Sequence, residues 1–168
     1  EIETLSDIAK VFFEKNWIDA AVKPGKAPGA FAHPTVTNVH PYVMLNYLGK
    51  PRDVMTLAHE LGHGVHQVLA ASQGELLSST PLTLAETASV FGEMLTFKKV
   101  LKSATSKKQK RILLAGKIED QINYAEQTLK IVTPVDTGKA RSGWTSKTSK
   151  DFDGYTEGII SNDVEYID

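Results

Sequence analysis

Apolar residues recur along much of this chain at the three-and-four spacing of a helix. Leu5, Ile8, Val11, Phe12 and Ile18 follow that spacing from Leu5 to Ala20, which predicts an amphipathic helix. Pro24, Gly25, Pro28 and Gly29 then break the backbone. From Ala30 to Leu48 the texture changes, with Val36, Thr37, Val39, Tyr42, Val43 and Tyr47 all β-branched or aromatic. That predicts extended chain folded as an irregular hairpin, Pro34 and Pro41 marking edge positions. A long helix is expected from about Asp53 to Ala71, with Asp53 accepting hydrogen bonds from first-turn N–H groups. Its apolar face is Leu57, Leu61, Val65 and Val68. Pro81 suits a first helical position, so the next helix should run from there to about Leu101, with Leu84, Ala88, Phe91 and Leu95 turned inward. Ser106 reads as the cap of a third long helix, striped by Ala115, Ile118, Ile122, Ala125, Leu129 and Val132.

After Val132 the pattern gives way to Pro134, Gly138, Gly143, Gly154 and Gly158 among many Ser, Thr and Lys, which predicts turns and short strands. Ile159, Ile160 and Val164 are the candidate strand cores. The expected organisation is a helix-rich core segment over 1–130 and a divergent segment over 131–168. The fold class is mainly α, with a short extended segment and a small irregular α+β C-terminal part. The 168 residues fit one domain, and 41% apolar with 23% charged is the balance of a soluble globular protein. A formal charge of −1 argues against a broad electrostatic footprint for nucleic acid or an anionic membrane. No apolar run is long enough to span a bilayer. The acidic opening Glu1-Ile2-Glu3-Thr4 lacks the basic-then-apolar pattern of a secretory signal. There are no cysteines, which excludes disulfides, thiolate metal sites and a cysteine nucleophile, and leaves His and carboxylates as metal ligands.

The candidate chemistry centres on His59-Glu60-Leu61-Gly62-His63, a His-Glu-x-x-His pattern in the middle of the predicted long helix. Residues four apart share a helical face, so two imidazoles can grip one zinc ion from the same side. Glu60 projects beside such an ion, where it can take a proton from water and pass it to a leaving amine. Gly62 and Gly64 each lower helix propensity by about 1 kcal/mol relative to Ala, so close approach of another element or of substrate is expected on that side. A water-activating zinc usually has three protein ligands. Glu86 and Glu93 lie seven apart among apolar residues, where a carboxylate needs a partner. Glu86 is the candidate third ligand, and Glu93 a candidate acceptor for a ligand imidazole. His66, three residues after His63, reads as a surface or supporting histidine. His33 and His40 read as hydrogen-bonding loop residues, and Glu75 and Glu119 as solvated charges.

These residues carry a family resemblance. Trp17-Ile18-Asp19-Ala20, Pro24-Gly25-Lys26, His40-Pro41-Tyr42-Val43, Thr56 through His66 and Thr83 through Glu93 are similar to segments of the oligoendopeptidase F branch of the thimet-oligopeptidase family of zinc peptidases. The resemblance covers roughly residues 17–120. It implies a helical, zincin-type catalytic core with Zn2+ held by His59, His63 and Glu86 and with Glu60 as general base. It also implies short peptides as substrates, a cytoplasmic setting, and an extended segment within Ala30 to Leu48 that pairs with substrate backbone. Family members are several times longer, and a later His/Tyr-bearing segment of theirs helps stabilise the tetrahedral intermediate. The continuation from Gln121 does not match it.

Tyr124 to Asp168, with Thr133-Pro134-Val135-Asp136-Thr137-Gly138-Lys139, is instead similar over a short stretch to tail-completion or neck proteins of tailed phages, which assemble as rings. Three functional readings stay open on the sequence. The chain is a zinc metallopeptidase core; or a truncated or hybrid fold that binds zinc without turnover; or a phage-type assembly module that forms an oligomer.

Overall fold

A computed structural model describes residues 2–132, 143–150 and 156–162. The chain divides into two compact units, Glu1–Ser103 and Ala104–Asp168. The first holds α1 (Ile2–Glu14), β1 (Ile18–Asp19), β2 (Ala30–His33), β3 (Tyr42–Leu45), α2 (Pro51–Ala71) and α3 (Leu82–Ser103). The second holds α4 (Lys107–Val132), β4 (Trp144–Lys150) and β5 (Thr156–Asn162). Helix dominates, as the periodicity predicted. Among the described residues no helix is long and apolar enough to cross a membrane.

The first helix stops at Glu14, short of the expected Ala20. Asn16 adopts a left-handed φ of 57°, a conformation that Asn tolerates better than most residues, and this turns the chain into β1. β1 pairs in parallel with β3 through Ile18 and Val43, while β2 pairs with β3 antiparallel, giving the order β1-β3-β2. The expected hairpin is therefore present, with shorter strands than its composition suggested. Residues 34–41, including Val36, Thr37 and Val39, form the loop between the strands. Thr35 sits there at a φ of 61°, its hydroxyl donating to the carbonyls of Val39 and His40 at 3.1 and 3.0 Å.

The core lies between α1, the small sheet and α2. Phe12, Val43 and Leu45 are buried at its centre, with Ile8, Trp17, Ile18, Leu57, Leu61 and Val68 packed around them. Lys26 ties the sheet's far end together. Its Nζ donates to the carbonyl oxygens of Asp19, Ala21 and Leu45, each at 2.9 Å, and lies 3.2 Å from Asp19 Oδ1. The ammonium is thus largely covered, with all its donors used. This accounts physically for the Pro24-Gly25-Lys26 turn: it returns the lysine to the strand ends.

α2 begins two residues earlier than the expected Asp53, because Pro51 occupies its first turn with a preset φ. Asp53 accepts from N–H groups before the helix, those of Leu48 at 2.8 Å and Lys50 at 3.0 Å, and not from the first turn itself. These bonds hold its carboxyl below the usual Asp range, the Lys50 contact contributing most. Pro81 precedes α3, its carbonyl accepting the first bonds from Leu84 and Ala85.

The expected inward face of α3 is corrected by the structure. Leu84, Phe91 and Leu95 are 61%, 49% and 41% exposed, and Ala85, Ser89 and Phe97 are buried instead. The reason is the closeness of α2. A Cβ on Gly62 would lie 2.6 Å from Ala88 O and 2.7 Å from Ser89 Cα; one on Gly92 would lie 3.0 Å from Ala58 O. Only small residues fit between helices this near, so Leu84, Phe91 and Leu95 turn away, while Phe97 is buried beyond the glycine contacts. Gly64 is explained in the same way, since a Cβ there would meet the Phe12 ring at 2.7 Å. Both motif glycines therefore have the close neighbours their cost in propensity suggested.

In the second unit, Ser106 caps α4 as expected, its Oγ accepting from Gln109 N–H at 3.1 Å while Gln109 Oε1 accepts from Ser106 N–H at 3.2 Å. β4 and β5 form an antiparallel hairpin with Ser146 opposite Ile160. Ile159 is exposed; Val164 and Thr133 to Ser142 lie outside the described residues.

Gly62→Ala should lower stability by about 1–3 kcal/mol despite better helix propensity, because its methyl must displace backbone. Gly116→Ala in α4, with nothing within 4 Å of the added carbon, should raise stability by up to about 1 kcal/mol. Denaturant titrations of the two variants followed by circular dichroism check this opposition of sign.

Candidate metal centre

His59 and His63 project from one face of α2, their ring centroids 4.9 Å apart and their planes at 82°. The close crossing brings α3 alongside, so Glu86 reaches both rings. Glu86 Oε2 lies 3.4 Å from His59 Nε2, and Oε1 lies 3.7 Å from His63 Nε2. One ligand atom from each of the three residues falls within 4.8 Å of the others. In a tetrahedral zinc site, donors about 2.0–2.2 Å from the ion stand roughly 3.3 Å from one another. Two imidazole nitrogens and a carboxylate oxygen at these separations suit such an ion in number, chemistry and spacing.

Glu93, one helical stretch further along α3, places Oε2 3.5 Å from His59 Nδ1. His59 is thus flanked by a carboxylate on each ring nitrogen. His59 is pushed above the ordinary imidazole range, first by its contact with Glu93 and then, against the opposing effect of burial, by the charges of Glu60 and Glu86. His63 moves the other way, lowered by burial and by the proximity of His59. The two imidazoles are thus pushed in opposite directions, one by its acidic neighbours and the other by burial.

Glu60 is only 7% exposed and is not one of the three clustered ligands. Burial raises its pKa, with nearby Glu86 adding to the effect. The positive charge of His59 and the Ala32 backbone on β2 act against it. β2 also meets α2 further along, where Gln67 Nε2 donates to Ala32 O at 3.3 Å.

The remaining candidates serve other ends. His66 stays outside the cluster, with its Nδ1 buried and unbonded among the described residues. His33 Nδ1 accepts the Thr35 N–H at 3.0 Å, a loop role as expected. His40 stacks on Trp17 with centroids 3.9 Å apart and planes at 3°, a contact its loop position did not announce. Glu75 accepts from Thr37 Oγ1 at 2.6 Å, and Glu119 is exposed. A cavity of about 740 Å³ lies beside the 34–41 loop, lined by Thr35, Thr37, His40, Gln67 and Glu75. It contains none of the three clustered ligands. Sequence reasoning missed Ser89, whose Oγ donates to Glu86 Oε2 at 2.9 Å. Its position three residues after Glu86 was the available signal.

The pattern of Peptidase family M3 matches residues 2–133. An oligoendopeptidase F of Lactococcus lactis subsp. cremoris is 30% identical over 137 residues, covering 77% of this chain and 23% of its own length. Oligopeptidase PepF of Bacillus subtilis is 28% identical over 118 residues, covering 70% of this chain and 18% of its own. A crystal structure assigned as a peptidase from Chlamydophila abortus superimposes with a TM-score of 0.63 at 32% identity, over 71% of this chain and 20% of that one. The chain spans about a fifth of the length of the curated relatives it matches. The phage likeness of residues 124–168 finds no support among these matches.

A group whose pKa is raised in the folded state stabilises fully below its unfolded pKa, and that contribution is lost as pH rises through the folded value. For metal-free protein, His59→Asn should therefore lower the unfolding temperature more at pH 6 than at pH 9. Thermal melts in the presence of a chelator measure the difference.

Proposed function

The chain belongs to peptidase family M3, and on that premise we propose that it forms the metal-binding part of a zinc-dependent oligopeptidase that hydrolyses short peptides. The observation that carries the reading is the convergence of His59, His63 and Glu86 from two helices onto one ligand-sized space. Zn2+ held by those three would polarise a peptide carbonyl and acidify a water molecule. Glu60, adjacent to the ligands and outside their set, is placed to serve as the general base that would accept a proton from water and return it to the leaving amine. Its burial supports the role, because a carboxylate of raised pKa is a stronger base. Glu93 holds Nδ1 of His59, which leaves Nε2 on the side of Glu86 and the cation.

β2 is one of the two edge strands of its sheet, its small residues Ala30 and Ala32 packing on the core and its Ala32 carbonyl meeting α2 through Gln67. Strand addition there would lay an extended peptide beside the metal helix, which suits short, unfolded substrates over folded proteins. The same reading assigns a cytoplasmic setting and calls for neither nucleic acid nor membrane. A second reading has one observation in its favour. Because the chain spans about a fifth of its relatives, it can retain zinc without the surfaces that complete turnover.

The purified chain should bind one zinc ion, and His59→Ala, His63→Ala and Glu86→Ala should each weaken that binding strongly, leaving a residual affinity that chelator competition still measures. Quenched short peptides should be cleaved, with Glu60→Gln lowering the rate by about 100-fold or more while zinc content stays the same. Zinc binding without cleavage supports the second reading, and no zinc at neutral pH overturns both.

A further inference from the structure

We propose that Ser89 is a positioning residue for the metal centre, its hydroxyl fixing the Glu86 carboxylate against the two imidazoles of α2. This rests on the reading of His59, His63 and Glu86 as ligands of one divalent cation. Of the buried polar side chains among the described residues, Ser89 alone is fully enclosed, at 0% exposure. Its Oγ lies 3.0 Å from the backbone carbonyl of Glu86 and 2.9 Å from Glu86 Oε2. The first contact is ordinary, since a helical serine commonly bonds a carbonyl one turn back. The second is not required by helix geometry. The Glu86 side chain is partly exposed, and one of its oxygens is nevertheless held by a hydroxyl that is fully enclosed.

The hydroxyl is anchored because of where its backbone sits. Ser89 Cα is one of the atoms that Gly62 admits, 2.7 Å from the position a Cβ on that glycine would take. Gly62 lies between His59 and His63 on α2. The point on α3 that holds the Glu86 carboxylate is thus the point where α3 touches the helix carrying the other two ligands. Through Ser89 the third ligand is registered against the first two, and not only against its own helix. Partners that orient ligating carboxylates in this way commonly change metal affinity when removed.

A thermodynamic cycle tests it. Zinc affinity is measured by competition with a chromophoric chelator for the wild-type chain, Ser89→Ala, Glu86→Ala and the double variant. Ser89→Ala should weaken zinc binding by about 10- to 100-fold, yet cause no further loss in the Glu86→Ala background. The metal-free unfolding temperature should stay near that of the wild type. Undiminished affinity in Ser89→Ala overturns the proposal, and so does an equal loss with and without Glu86, which would mark a packing role. Should Ser89→Ala fail to fold, Ser89→Cys, similar in size and a weak donor, takes its place in the same cycle. A wild-type chain that binds no zinc overturns the metal reading itself, an outcome separate from any result on Ser89.

Discussion

The distance between α2 and α3 governs everything else in the first unit. Gly62 and Gly92 let the two helix backbones meet with no side chain between them. Only then can the short reach of Glu86 bring its oxygens to 3.4 and 3.7 Å from two imidazoles on the other helix. Larger residues at the crossing would give a more ordinary packed pair, at the usual 8–10 Å between axes, with the carboxylate further away. The motif thus depends on what separates its histidines as much as on the histidines themselves.

That closeness gathers charge. Glu60, Glu86 and Glu93 surround His59, and the group as a whole is short of positive charge. The opposed tendencies of His59 and His63 express one condition: the cluster calls for a cation, and a proton on His59 is what the metal-free protein has available. If the cluster is the metal site, an ion bound by His59 would compete with a proton there, and uptake would depend on pH.

Much of this was legible in the sequence, though unevenly. The helical spacing of Leu57, Leu61 and Val68 found α2, and the four-residue step from His59 to His63 put both rings on one face. Ser106 announced its helix because a cap is a local interaction. The face of α3 was misread because large apolar residues were taken for the inward ones, a sound rule wherever helices pack at ordinary distances. At the crossing with α2 small residues face inward, and the signal was the run of Ala85, Ala88, Ser89 and Gly92 at helical spacing. The bond from Lys26 to Leu45 and the Trp17–His40 stack depend on residues brought together from separate parts of the chain, and no local pattern encodes them.

The lysine has a consequence for how this segment can vary among related chains. Three carbonyl oxygens converge on one nitrogen, and an ammonium offers three donors splayed from a single centre. A guanidinium spreads its donors across a plane, so arginine is a poor replacement although the charge is the same. The reach of the side chain also fixes how many residues can separate Ala21 from Lys26. Insertions should therefore collect in neighbouring surface loops, such as 34–41, and leave this turn at constant length.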